Sequence, residues 1–314
     1  MEIGRSAEQA IVFPGMGPTA FGDVAKFMVV NSYARKLLAE ADAVLGYSLL
    51  DRYRETPGDY TEFAQVAFLV NCLALAEWAA DSLDAEAELC VGPSFGGKAA
   101  AVHVGSLSFA EAVWMTARLA RCLDEYFAVE HRDVVTQSFA RTPEHVLTEA
   151  LAELDREGEW YELSCYVDHD FHLVTLHEDS AERLRARLRS VGGLPLYAMR
   201  PPMHASVFGP LRDRVEDEVF SQLAFADPSI PVVADQDGSI VRTGAQIRDM
   251  LLDGFVRPVH WPQVLNTLSS KGIGTLLVAG QDSMFSRVGC TTRNFEVVAV
   301  NPRMAMRPRR RVAS

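Results

Sequence analysis

One short stretch limits the folds open to this chain. Gly92-Pro93-Ser94-Phe95-Gly96 is a G-x-S-x-G pentapeptide. It follows an apolar, strand-like run, Ala87 to Val91, and precedes a small-residue run, Gly97 to Val102, suited to a helix. A serine on a strand-to-helix turn is pushed out of the packed sheet, and the glycines are needed because the turn passes close to its own backbone. The start of the helix then points free N–H groups at whatever attacks or leaves that serine. The pattern predicts an α/β fold that presents Ser94 as a nucleophile, and by itself fits any α/β hydrolase.

A chain of 314 residues can bury a large core, as one big domain or a large one with a smaller insert. Its 48% hydrophobic and 23% charged content is that of a soluble globular protein. Cysteines 72, 90, 122, 165 and 290 are odd in number, scattered and free of any C-x-x-C. That argues against a disulfide framework or a zinc site, and a reducing cytoplasm is expected. No signal peptide is expected, because Met1 to Gln9 is polar and Ala10 to Phe13 is only strand-length. The apolar run Val66 to Ala80 is interrupted by Asn71 and Glu77, so it reads as a buried helix too short to span a bilayer. A net charge of −12 speaks against a nucleic-acid surface. The basic run Arg307 to Arg311 reads as a solvated tail, or else as a contact for an acidic partner.

Organisation follows from periodicity and turn signals. A short strand at 11–13 ends in the turn-dense Pro14-Gly15-Met16-Gly17-Pro18. Helices are predicted near 31–45, 62–83 and 109–127. Residues 132–199 read as strand (132–140), helix (143–157), strands (160–167 and 171–177), helix (179–191) and strand (194–199). That β-α-β-β-α-β order is the ferredoxin-like unit. Beyond Pro202 come a helix (206–223), a strand (231–234), helices (244–254 and 261–270) and a strand (274–279). The expected fold is a large α/β-hydrolase-like domain with a mostly parallel sheet, residues 1–131 and 200–314, carrying an inserted ferredoxin-like small domain, 132–199.

A serine needs a base within hydrogen-bond reach. Of histidines 103, 131, 145, 169, 172, 177, 204 and 260, His204 stands apart. It follows two prolines in Arg200-Pro201-Pro202-Met203-His204, just before a helix and at the predicted domain junction, where clefts form.

Several segments together carry a resemblance. Phe13-Pro14-Gly15-Met16-Gly17 resembles the F-P-G-Q-G start of malonyl-CoA:acyl carrier protein transacylases and polyketide synthase acyltransferases. Gly92 to Gly96 resembles their G-H-S-x-G, and Met203-His204-Ala205 their S-H-x base motif. Ala64-Gln65-Val66-Ala67 resembles T-Q-P-A, and Arg257-Pro258-Val259-His260-Trp261 resembles N-P-V-x-W. The match runs in order over nearly the whole chain.

The resemblance implies a Ser94–His204 dyad and a ping-pong mechanism through an acyl-serine ester. It implies an oxyanion hole from the backbone N–H groups of Met16 and Phe95, and a backbone carbonyl near Gly254 that orients the base. It implies no bound cofactor, no metal and no membrane. The substrates ride on the phosphopantetheine of donor and acceptor acyl carrier proteins, and a monomer is expected.

Departures from the pattern bear on the substrate. The family's carboxylate-binding arginine falls at Leu119 here, flanked by Arg118 and Arg121. A buried carboxylate facing Leu119 would be unpaired, so an acyl group without a carboxylate is expected. The competing reading turns Arg118 or Arg121 inward and keeps malonyl transfer. Pro93, Met203, Gly97 and Lys98 also depart and point to a reshaped acyl pocket that includes Leu119 and Gln65. The pattern is similar to discrete acyltransferases of macrolactam polyketide pathways, of the vicenistatin type, which move aminoacyl or dipeptidyl starters in antibiotic biosynthesis. Arg185, Arg189, Arg200 and Arg303 are candidate contacts for acidic carriers, with a solvated helix face as the plainer reading of Arg183 to Arg189. An acyl-carrier hydrolase of the same fold and a docking protein without catalysis remain the alternatives.

Overall fold

A computed structural model describes residues 8–307. Eleven strands form two sheets. In chain order they are β1 (Glu8–Val12), β2 (Leu89–Val91), β3 (Val134–Ala140), β4 (Tyr161–Asp168), β5 (Phe171–His177), β6 (Leu194–Met199), β7 (Val232–Val233), β8 (Ile240–Val241), β9 (Val259–His260), β10 (Ile273–Ala279) and β11 (Glu296–Val300). The helices that bear on the site are α1 (Glu62–Leu83), α2 (Gly96–His103), α3 (Phe109–Val129), α4 (Glu144–Glu157), α5 (Glu178–Ser190), α6 (Gly209–Glu218), α7 (Gly244–Asp253) and α8 (Trp261–Ser270).

The larger sheet has the order β11-β10-β1-β2-β7-β8. Every pair in it is parallel except β7–β8. Parallel strands need crossovers, so the loops after β1, β2 and β7 all leave from one end of the sheet, where ligands collect in such folds. Those three loops carry Met16, Ser94 and Asp235. Helix α1 packs against this sheet with most of its residues buried, including Val66, Leu69, Val70, Leu73 and Leu75. It has 22 residues, more than the apolar run suggests, and is long and apolar enough to cross a membrane, yet it lies inside the protein core.

The smaller sheet has the order β6-β3-β5-β4-β9. Its first four strands are antiparallel, in the ferredoxin-like arrangement. Helices α4 and α5 cover it over Val135, Phe139, Leu151, Leu176 and Leu184. The fifth strand comes from outside the 132–199 segment. β9 adds in parallel to β4, with Cys165 opposite Val259 and Tyr166 opposite His260. The His260 N–H donates to the Asp235 carbonyl at 2.7 Å, so this strand ties the smaller sheet to the end of β7.

Some expectations differ from the structure. The helix expected over 206–223 is broken into a short 3-10 turn, α6 and a second 3-10 turn, because Val219 (φ −121°, ψ −59°) leaves helical geometry. Strands β8, β9 and β11 were not expected. The basic run at 307–311 lies largely outside the described residues.

The glycines around Ser94 are sterically obligatory. A Cβ on Gly96 would lie 1.9 Å from the Phe13 carbonyl oxygen, and one on Gly92 would lie 2.4 Å from the Gly96 backbone. Gly96→Ala is therefore expected to cost about 3 kcal/mol or more, because only backbone stands in the way. Urea unfolding of the variant checks this, and a loss below about 1 kcal/mol contradicts the packing described.

Candidate active site

Ser94 ends the turn that follows β2. Its φ is +54°, a left-handed conformation that side chains other than glycine rarely adopt. The turn is closed by Gly96 and Gly97 N–H groups donating to the Pro93 and Ser94 carbonyls at 3.0 and 3.1 Å. Beneath it, the Ser94 backbone N–H donates to Asp235 Oδ2 at 2.6 Å. Asp235 is buried, and loss of water pushes its carboxyl up to about 7, only partly offset by the bond from Ser94.

His204 approaches from the opposite wall. It also has a positive φ, +63°, and its N–H donates to the Phe255 carbonyl at 3.1 Å. Its Nε2 lies 2.8 Å from Ser94 Oγ. Its Nδ1 is buried and makes no hydrogen bond of full geometry. The carbonyls of Gly254 and Arg257 lie near enough to favour the protonated ring, so the expected Gly254 oxygen is joined by a second. Burial outweighs both and pulls the imidazole down to about 4. A neutral ring with Nε2 on a hydroxyl is able to accept its proton.

Ser94 and His204 open into a cavity of about 110 Å³. Helix α3 lines it with Met115, Leu119 and Leu123, spaced four residues apart on one face. Gln65, Met203, Met16 and Phe95 line it too, whereas Pro93 does not: it is buried beneath the turn. The backbone N–H groups of Met16 and Phe95 donate to no protein group among the described residues. Neither alternative arginine reaches the cavity. Arg121 forms a two-point pair with Glu62 at 2.6 Å on the protein surface, and Arg118 lies off the lining face.

The sequence reading missed two residues of this site. Asp235 could have been found from its place at the end of the 231–234 strand, beside the strand that feeds Ser94. Lys98 was noted only as a departure. Helix α2 buries Gly96, Gly97, Ala99, Ala100 and Ala101, so a lysine among them has little open surface to reach. Its Nζ stands 4.2 Å from the Phe95 ring centroid and 3.4 Å from Gln65 Oε1, inside the cavity lining. Desolvation lowers its amine to about 7.

The candidate carrier contacts separate into two groups. Arg185 is only 14% exposed and is held by Gln137 at 2.7 Å and by Glu182, so it is not a free docking residue. Arg200 lies on the surface, paired with Glu178 at 2.6 Å. Arg189 and Arg303 are exposed. Asp168, His169 and Asp170 could hold a metal by proximity, but the cluster is occupied locally: His169 Nδ1 bonds Asp168 at 2.9 Å, and the Cys290 N–H bonds the other Asp168 oxygen at 2.9 Å. The five cysteines are free thiols.

Known proteins resemble this chain in sequence and in fold. Residues 138–199 match the family described as "VinK acyltransferase small domain". The malonyl CoA-acyl carrier protein transacylase of Salmonella typhimurium is 26% identical over 290 residues, covering 90% of this chain and 92% of that protein. The Bacillus subtilis protein of the same name is 24% identical over 302 residues, covering 93% of each. The chain is similar to these transacylases over most of its length. Among solved structures, FabD from Acinetobacter baumannii superposes with a TM-score of 0.83 at 22% identity, covering 96% of each chain. A type II PKS acyl carrier protein in complex with its malonyl-transacylase gives 0.82 at 24% identity, covering 94% of this chain and 96% of that one. Both show the shared fold of a large α/β domain and a small domain.

The His204 ring is expected to stay neutral well below the ordinary histidine range. An NMR titration of His204 should show its midpoint near pH 4. A midpoint above 6 would contradict the enclosed site described.

Proposed function

We propose that Ser94 and His204 transfer an acyl group between acyl carrier proteins through an ester on Ser94. The observation that carries this is the 2.8 Å contact between Ser94 Oγ and His204 Nε2, at the mouth of a largely apolar cavity. His204 Nε2 takes the Ser94 proton as Oγ attacks the thioester carbonyl carbon. The negative oxygen so formed faces the unpaired N–H groups of Met16 and Phe95, which need not reorganise to receive it. The C–S bond then breaks, and the departing thiolate takes the proton back from His204. A second carrier thiol repeats the sequence in reverse. The base needs no side-chain carboxylate, because the Gly254 and Arg257 carbonyls face the ring as it becomes positive.

We assign the acyl group as one without a carboxylate. Leu119 and its neighbours Met115 and Leu123 give the cavity an apolar wall, and Arg118 and Arg121 stay outside it. A carboxylate there would have no two-point cation partner. Malonyl transfer through either arginine is correspondingly disfavoured. The carrier relationship rests on the similar transacylases, which are named for acyl carrier protein. A smaller cavity of about 30 Å³ meets Ser94 and His204 from the side of Tyr197, Asp282, Ser283 and Phe285, and offers a route for the thioester arm. Arg189, Arg200 and Arg303 supply exposed positive charge for an acidic carrier.

Intact-protein mass spectrometry after incubation with acyl carrier proteins tests this. The wild type is expected to gain one acyl group from a neutral acyl donor and little from a malonyl donor, and Ser94→Ala to gain none. The adduct should persist until an acceptor carrier is added. Efficient malonyl loading would contradict the neutral acyl assignment, and rapid release of free acid without acceptor would make the enzyme a hydrolase.

A further inference from the structure

Lys98 is an amine in a largely apolar chamber, and the reaction above has no use for it. Among the described residues lining the cavity it is the only lysine or arginine. The cavity's one acidic side chain, Asp235, is committed to the Ser94 backbone N–H. Among the described residues no ion pair holds Lys98. Its nitrogen has one long hydrogen bond, to Gln65 Oε1 at 3.4 Å, and one ring face, Phe95 at 4.2 Å. Gln65 is itself fixed, since its Nε2 donates to the Tyr60 carbonyl at 2.8 Å. Phe95 is braced edge-on by Phe68, with ring centroids 5.3 Å apart.

Desolvation lowers the Lys98 amine to about 7, and in its charged form, which an accepting oxygen placed against it favours, it has three N–H donors. One is directed at Gln65 and one at the ring, which leaves one without a protein partner. A saturated acyl chain filling the cavity would expel water from that donor and return nothing, an arrangement that is costly for a buried polar group. A carboxylate would be met by one amine whose charge is already shared with a ring and an amide, not by the two-point fork of an arginine. An uncharged oxygen matches a single donor.

We infer that Lys98, held by Gln65 and Phe95, is the specificity-determining anchor of the acyl cavity, and that the chain it receives bears an uncharged hydrogen-bond-accepting oxygen such as an amide carbonyl, ketone or hydroxyl. This rests on the reading that Ser94 carries an acyl ester. It goes further by giving the chain a polar group and naming the residue that reads it. Lys98 stands four residues beyond Ser94 on the helix that begins at the nucleophile turn, so the anchor and the ester share one rigid element.

The test compares full-length wild type with Lys98→Met, whose side chain has similar length and no donor. Ser94 acylation is followed with three N-acetylcysteamine thioesters of similar length: N-acetyl-β-alanyl (amide), hexanoyl (apolar) and glutaryl (carboxylate). The wild type is expected to favour the amide over the other two. In Lys98→Met the amide-to-hexanoyl ratio of kcat/KM should fall about tenfold, the size of one lost hydrogen bond. A melting temperature at or above that of the wild type shows that the variant folds. Equal loss with all three thioesters makes Lys98 merely structural and overturns the proposal. Preferred glutaryl loading that disappears in Lys98→Met makes it a carboxylate receptor; that overturns both this proposal and the neutral acyl assignment, while leaving the Ser94 ester intact. No adduct from any thioester overturns the ester itself, and the anchor with it.

Discussion

The approach of Gly96 to the Phe13 carbonyl is the constraint on which the site depends. A Cβ at Gly96 would overlap that oxygen at 1.9 Å, so only glycine lets the start of α2 lie against the end of β1. That closeness has two consequences. It brings Met16 and Phe95 into the lining of the same cavity, and it accompanies the left-handed conformation of Ser94, whose hydroxyl meets His204. The local strain is supported from below by Asp235, which binds the Ser94 N–H from the neighbouring strand.

The base depends on a different support. His204 follows β6, an edge strand of the smaller sheet, and its N–H donates to the Phe255 carbonyl in support of its own positive φ. Met203 is bound to that sheet through the Thr136 hydroxyl at 3.3 Å. Strand β9 then joins β4, while the His260 N–H reaches the Asp235 carbonyl. The chain segments behind Ser94 and His204 thus meet through backbone strand pairing together with the Thr136 hydroxyl and the Asp235 carboxylate. A 2.8 Å contact between groups 110 residues apart in sequence needs such a frame.

Much of this was legible in the sequence because the signals were local. The G-x-S-x-G turn, the ferredoxin-like order over 132–199 and the two prolines before His204 each state their structure within a few residues. What escaped was set by tertiary pairing. Strands β8 and β9 have two residues each and exist only because a neighbour accepts them. The break at Val219 has no glycine or proline to announce it. Arg185 looked like part of a solvated basic face, yet its side chain folds back onto Gln137. Lys98 was hidden by the opposite error. Its run of small neighbours suggested a simple packed helix, but the half-buried lysine among them places its amine in the cavity lining beside Gln65 and Phe95.

The central claim is that His204 activates Ser94 for ester formation. The most direct measurement is the single-turnover rate of Ser94 acylation by a neutral acyl carrier thioester, for wild type and His204→Ala across pH. The wild-type rate should stay level down to about pH 4, where the imidazole becomes charged, and fall below it. His204→Ala should be slower by about a thousandfold or more at every pH. An alanine variant that acylates at the wild-type rate would show that Ser94 draws its reactivity from another group, and the dyad would be wrong.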